Sequence, residues 1–392
     1  MRLCILYISL FLLWGLELPT AVCYAIFGVS LFLFIITRTK IKIPWQSTED
    51  KIAIIFILIW LYGLISGILN GNNLIYVTSN FAGMSCYTAY YIFNDSRCSV
   101  RKVTKILLLS GLCISICAVL KIGLFILGVS LPFIGADAGI ASTGQPRFFL
   151  IMLSTAYTLL GMSLYGVLEP NVVKYTYRTH YFSVVLFFIL SIIAIFIVPA
   201  SKGFMLGGLF ILCVIPFSIY KTSLEHGYVR YGLLGCMGCF LIIIILLINM
   251  GYFNIIEKMF DDSDIANIDR YVQLEYIINS IKFWGNGLGA TIDGIVRSEE
   301  APYGFELTYI NLIHKFGIFA VILFINWIYM IIKLIKHIIN ISSHNKIYAI
   351  VALSAMGYLL PSVGNPLLMH PSLVIMNSYS LYIIKYLNKQ KK

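Results

Sequence analysis

The apolar positions of this chain neither alternate nor form narrow stripes; they run on for some twenty residues and then break. The stretch "YGLLGCMGCFLIIIILLINM", Tyr231 to Met250, is representative and carries no charge. Runs of about 20 apolar residues read as membrane-spanning helices, whereas barrel strands would alternate at every second position. Such runs lie near 3–18, 20–37, 52–69, 74–93, 106–128, 148–168, 181–199, 204–220, 231–250, 306–332, 347–361 and 371–386. The pattern predicts an all-α polytopic membrane protein with about 12 transmembrane helices, forming a single transmembrane domain over residues 1–392. The opening "MRLCILYISLFLLWG" is followed by no A-x-A-like cleavage site, and a second run begins at once. It reads as a retained first span.

Composition strengthens this reading. The chain is 60% hydrophobic and 11% charged, against about 25% charged residues in a soluble domain. A net charge of +11 raises nucleic acid as a partner, but the placement of the charges argues for orientation instead. An even number of spans puts both termini on one side, and loops on that side hold 20 of the 28 Lys and Arg residues. The other side holds Arg147, Lys202, Lys258, Arg270, Lys282 and Arg297; Lys121 and Lys315 fall inside runs. Cytoplasmic loops are enriched in Lys and Arg, so both termini are predicted to be cytoplasmic. The expected partner is the lipid bilayer, with no nucleic acid. All nine cysteines fall in runs or on the cytoplasmic side, which predicts neither disulfides nor zinc. The acidic "DDSD", Asp261 to Asp264, reads as a solvated loop. No metal and no cofactor are expected.

One connection breaks the pattern of short loops. Residues 251–305 form a long external loop with helical periodicity from Ile268 to Trp284, apolar at Ile268, Tyr271, Leu274, Ile278 and Ile281. This predicts a short amphipathic helix on the membrane or over a cavity. It ends in "WGNGLGA", with glycines at 285, 287 and 289. A nucleotide loop is disfavoured there: nucleotides are cytoplasmic, and no strand precedes the glycines. Two readings stay open: a turn that closes the helix, or a turn that lets backbone approach a ligand closely.

The flanking residues resemble a known family. "RYVQLEYIINSIKFWGNGLG" is followed by "FELTYINLIHKFGIFAVILF", and "PASKGF" stands at the external end of the seventh run. A weaker match is "TGQPRFF" before the sixth run. Together these resemble the bacterial O-antigen polymerase and O-antigen ligase superfamily, whose periplasmic loop carries an arginine, a glycine turn and then a polar residue opening a span. Glu306 stands where many ligases have histidine, and Lys202 where the family has arginine. The resemblance implies a GT-C-like membrane glycosyltransferase of the Wzy polymerase type in the bacterial cytoplasmic membrane. Its substrate would be an undecaprenyl-diphosphate-linked oligosaccharide, polymerised at the outer face for O-antigen or capsule. A chain-length regulator and a flippase would be its partners. An O-antigen ligase is the alternative within the family, and a polysaccharide flippase or secondary transporter the alternative outside it.

That chemistry assigns roles. Arginine forks match phosphate oxygens and stay charged, so Arg270 and Arg147 would hold the diphosphate, with Lys202 as a point charge. Glu306 would act as general base on the acceptor hydroxyl. Arg270 and Glu306 are the catalytic candidates. Tyr309, His314, Trp284, Gly287 and Gly289 are candidates for substrate binding. Each has a plainer reading. Arg147 and Lys202 fit snorkelling at span ends, Tyr309 and Trp284 fit interfacial anchors, and Arg270 and Glu306 fit solvated charges at element ends.

Overall fold

The computed structural model describes residues 2–36, 45–95, 98–129, 139–140, 146–148, 150–169, 180–199, 201–220, 265–295, 302–341 and 343–390. The predicted ninth span, 231–250, and the acidic "DDSD" lie outside the described residues. Apart from a two-residue ladder pairing Gly139–Ile140 with Pro146–Arg147, the described architecture is helical. In chain order the helices are α1 (Arg2–Gly15), α2 (Thr20–Ile36), α3 (Thr48–Leu69), α4 (Leu74–Ser85), α5 (Ala89–Phe93) and α6 (Val100–Ile126). They continue as α7 (Ala156–Leu168), α8 (Tyr181–Ile192), α9 (Lys202–Tyr220), α10 (Ile265–Ser280), α11 (Thr308–Phe316), α12 (Phe319–Asn340), α13 (Ser343–Ala355) and α14 (Pro371–Gln390).

Among the described residues, five helical stretches are long and apolar enough to cross a membrane: Thr48–Leu69, Val100–Ile126, Ile151–Leu168, Phe319–Asn340 and Asn345–Val363. Four shorter apolar helices accompany them. The chain is a helical membrane protein. The three most apolar stretches, in α3, α6 and α12, bury only 39%, 44% and 33% of their residues inside the protein. The two less apolar ones bury 89% and 78%. Lipid is as apolar as a leucine side chain, so the helices that face it carry the most apolar surface, while helices wrapped by protein can hold polar groups.

Helix α14 takes this furthest: Pro371 to Lys385 are all buried. Its polar side chains find partners in the core, Tyr379 with Thr104 at 2.7 Å and Asn377 with the Tyr358 hydroxyl at 3.1 Å. Lys385, one of the basic residues counted on the cytoplasmic side, is not a free loop charge. It is buried and paired with Asp50 at the start of α3, 2.6 Å away.

Among the described residues, several predicted runs are interrupted, three of them near the features that follow. The fourth becomes α4, a 3-10 turn at Cys86–Thr88, and α5. The seventh passes from α8 into a π-helical turn at Ile193–Ile197. The tenth, expected as one span over 306–332, is two helices broken at Gly317, which has φ 56°. The Phe283 carbonyl and the Gly285 amide occupy the space where a Cβ of residue 317 would sit. The break is imposed by the glycine turn packed against it, a contact that periodicity within the run could not reveal.

Candidate functional site

The long loop returns to the bundle through its glycines. Gly285, Gly287 and Gly289 have φ of 82°, 79° and 73°, a region that favours residues without a Cβ. Both sides of this turn are hydrogen-bonded. The Asn286 and Gly287 amides donate to the carbonyls of His314 and Lys315 at 2.8 and 2.9 Å, and the Leu288 amide donates to the Gly63 carbonyl at 2.9 Å. The Asn72 side-chain amide donates to the Asn286 and Leu288 carbonyls, both at 2.8 Å. On α3, Gly63 and Gly67 make room for the turn. A Cβ at Gly67 would lie 2.5 Å from the Leu288 carbonyl oxygen, and one at Gly287 would strike the Gly67 backbone. The geometry is that of a turn docked on protein backbone, a role outside both open readings. The Gly289 amide, too, is taken by a protein acceptor, Oδ1 of Asn80 at 3.2 Å.

That Asn80 oxygen also accepts from Nζ of Lys315 at 2.6 Å, and the same ammonium donates to the Tyr303 carbonyl at 3.0 Å. Lys315 has no exposed surface. A buried ammonium is retained only where hydrogen bonds replace its hydration. Here they tie together the glycine turn, α4, α11 and the strip leading to Glu306.

The amphipathic helix is α10, but its inward face differs from the predicted stripe. Gln273 and Ile277 are buried, while Ile268, Tyr271 and Ile278 are exposed. Periodicity finds apolar positions; it does not say which of them meet protein and which meet lipid. Ile277 packs with Ile292, Ile295 and Phe305 in a small core of its own. This fixes α10 over the start of α11 and brings Arg270 to Glu306, with Nε 3.0 Å from Oε2. The Glu306 amide donates to Oε1 of Gln273 at 3.2 Å, which locks the backbone that carries the carboxylate.

A third segment, Pro361–Asn365, closes this end. Thr308 donates through its hydroxyl to the Asn365 carbonyl at 2.7 Å, and the Tyr309 hydroxyl donates to the Leu359 carbonyl at 2.7 Å. Gly364 lies beneath the guanidinium, where a Cβ would sit 3.8 Å from Nε of Arg270. Pro361 packs against Gly203, whose added Cβ would meet the Pro361 Cα at 2.8 Å. The start of α9, with Lys202, therefore adjoins the same segment. The strand bearing Arg147 is joined to the residues just before it, since the Phe148 amide donates to the Val198 carbonyl at 2.8 Å.

Of the candidate residues, the structure thus brings Arg270 and Glu306 together, while Tyr309 turns to the Leu359 carbonyl and packs on Phe324 and Trp327. The structure places the backbones of Lys202 and Arg147 in a continuous series of contacts leading to that pair. His314 is buried edge-on to Phe305, with ring centroids 6.3 Å apart, and its carbonyl holds Asn286. Trp284 is 60% exposed and tilted on Phe319 at 6.0 Å, so one aromatic surface faces outward beside the turn. Gln273, Thr308 and Pro361–Asn365 did not figure among the candidates. The proline, glycine and asparagine of "PSVGN" signal a turn, but nothing local says what the turn touches. Among the described residues no group of three His, Cys, Asp or Glu side chains is placed to hold a metal. The arrangement offers one guanidinium, one carboxylate and exposed aromatic surface. No family model matches this chain, and no curated protein matches it.

Proposed function

We propose that this chain is a membrane glycosyltransferase that polymerises lipid-diphosphate-linked oligosaccharide repeat units at the outer face of a bacterial cytoplasmic membrane. In this reading the fold is GT-C-like with twelve spans and cytoplasmic termini. The lipid carrier is undecaprenyl diphosphate, and the product is O-antigen or capsule. The observation that carries it is the half-exposed Arg270–Glu306 pair, at 34% and 23% side-chain exposure, held between α10, α11 and Pro361–Asn365.

The chemistry requires a base and an anion holder side by side. Glu306 takes the proton from the acceptor hydroxyl as its oxygen attacks the anomeric carbon of the donor. The bond from that carbon to the diphosphate oxygen breaks, and the lipid diphosphate leaves with the electron pair. A guanidinium has five donors in a fixed fork. One bond to Glu306 leaves others to meet the charge that grows on the leaving oxygen, where such stabilisation accelerates the reaction most. Arg147 and Lys202, carried toward the same end, would complete the diphosphate site. The lipid diphosphate is already activated, so no nucleotide or other cofactor is called for. A chain-length regulator and a flippase would act beside it.

The test is the surface-glycan ladder of cells whose only copy of the gene carries Arg270→Ala or Glu306→Ala. Loss of a general base or of an oxyanion donor typically lowers rates by about 10²-fold or more. The ladder should collapse to single repeat units at unchanged protein level. Full-length ladders in both variants would overturn the assignment. Single units joined normally to their final acceptor would separate a polymerase from the ligase alternative.

A further inference from the structure

The apolar stripe of α10 is wider than the face the protein covers. Gln273 and Ile277, one turn apart, are buried. Tyr271, Leu274 and Ile278 share the neighbouring flank, and Tyr271 and Ile278 are exposed. At 3.6 residues per turn this flank lies roughly 100° round the helix from the buried face. Farther round come Glu275, Asn279 and Asp269, all exposed. The helix thus has a protein side, an apolar side and a polar edge.

The apolar side runs on into the glycine turn. Phe283 and Trp284 are 66% and 60% exposed, with their rings edge to face at 4.9 Å. Their backbones are nevertheless fixed: the Phe283 carbonyl accepts from the Ile318 amide at 3.0 Å, and the Trp284 carbonyl from the Tyr62 hydroxyl at 2.6 Å. Two large rings are therefore held outward by bonds that do not bury them. Beneath them, Trp284 tilts on Phe319, the first residue of α12, and Tyr62 of α3 meets the same ring at 4.6 Å. From this junction two exposed stripes lead away, Ile318, Ile322 and Ile325 along α12 and Leu58, Leu61 and Ile65 along α3. Both helices are long and apolar enough to cross a membrane and bury only 33% and 39% of their residues. The rings cap a surface that lipid covers; they are not an isolated patch.

We propose that Phe283, Trp284 and the Tyr271–Ile278 flank of α10 are embedded in the membrane–water interface at this end of the bundle, with α10 lying along the bilayer surface. Tryptophan and tyrosine favour that layer, where the ring meets acyl chain and the polar atom stays hydrated. A helix with one apolar flank and a charged edge lies in the interface plane. A glycan would stack on the aromatic rings alone, whereas here Ile278 and Ile318 extend the same exposed surface and offer no face for stacking. This surface stands whether or not Arg270 and Glu306 do chemistry.

The full chain in phosphatidylcholine nanodiscs tests this by tryptophan fluorescence. The emission of Trp284 is the difference between wild type and Trp284→Phe. Two quenchers are compared: phosphatidylcholine brominated on the acyl chain near the headgroup, and iodide in the water. The brominated lipid should remove most of the Trp284 emission and iodide little of it. Two added fluorophores resolve the sides of α10. Ile278→Trp should give emission that the brominated lipid quenches, and Asn279→Trp emission that iodide quenches. Both positions are exposed, so these variants carry the test should Trp284→Phe fail to fold. Quenching of Trp284 by iodide and not by the lipid would overturn the proposal and leave the rings facing water, as a glycan platform would. Emission that neither reagent reaches would show the rings covered by the chain itself and would equally overturn it. Iodide quenching of Ile278→Trp would overturn the placement of α10.

Discussion

The two ends of this bundle each carry an ion pair, and the pairs differ in how far they are buried. Asp50 and Lys385 lie 2.6 Å apart with side chains 1% and 7% exposed. The Asp50 carboxylate also accepts from the Tyr90 hydroxyl at 2.7 Å and from the Ser47 amide at 3.1 Å, closing the capping box of α3. Glu49 beside it is held by Asn388 at 2.8 Å. At the other end, Arg270 and Glu306 meet at 3.0 Å and stay partly open to the surroundings. A buried pair whose carboxylate accepts three hydrogen bonds fixes helices in place. A half-open pair can exchange one partner for a substrate at little cost. The proposed function assigns chemistry to the second pair, and the burial of the first assigns it to structure.

The largest expected effect tests the structural side. Asp50→Ala strands the Lys385 ammonium in the core and removes the α3 cap, which should cost about 3–5 kcal/mol of stability in equilibrium unfolding of the detergent-solubilised chain. Asp50→Leu combined with Lys385→Met removes both charges and should recover most of that loss. A loss below about 1 kcal/mol for Asp50→Ala, the range of an exposed pair, would erase the difference between the two ends.

Next in size is the glycine turn that holds the chemical end in place. Gly287→Ala puts a Cβ into the Gly67 backbone at a positive φ. The left-handed conformation alone costs about 1–2 kcal/mol, and the clash adds to it. Gly67→Ala meets the Leu288 carbonyl from the opposite side. Both substitutions break one contact, so their combined loss should fall short of the sum of the two. Strict additivity in melting experiments would mean that turn and helix are not docked as described.

This turn also marks how far the sequence can be read. The apolar runs announce a helical membrane protein because twenty-residue apolar stretches have few other uses. Runs say less about depth. The last run is among the least apolar, and it became α14, buried along most of its length. Its serines, tyrosines and asparagine are tolerated because protein rather than lipid surrounds them. Arg270 and Glu306 are 36 residues apart and were singled out through the order of motifs around the glycines. The Pro361–Asn365 segment was not, because its contribution is tertiary: a carbonyl for Thr308 and a bare Cα beneath Arg270. Nothing at residues 361–365 themselves encodes that encounter.

A subtler test uses that bare Cα. Gly364 has φ −122°, which any residue adopts, so Gly364→Leu introduces no backbone strain. Its side chain would grow toward the Arg270 guanidinium. Displacing a positioned group by about 1 Å can lower rates tenfold or more. The expected outcome is a shortened glycan ladder with an unchanged melting temperature. A ladder of normal length would show that Arg270 need not stay over this segment.

The smallest expected effect is the most diagnostic. If the Arg270–Glu306 pair is held for chemistry, Arg270→Ala should change stability by less than about 1 kcal/mol, since partly exposed pairs contribute little net energy against screening and side-chain entropy. The Gln273 and Thr308 bonds still hold the Glu306 backbone, and the small core around Ile277 still seats α10. These contacts position the helices without the guanidinium. The glycan ladder should nonetheless collapse. Melting measurements on the purified variant separate the two roles. A loss as large as that of Asp50→Ala would make Arg270 a strut like Lys385, and the collapsed ladder would then report misfolding rather than catalysis.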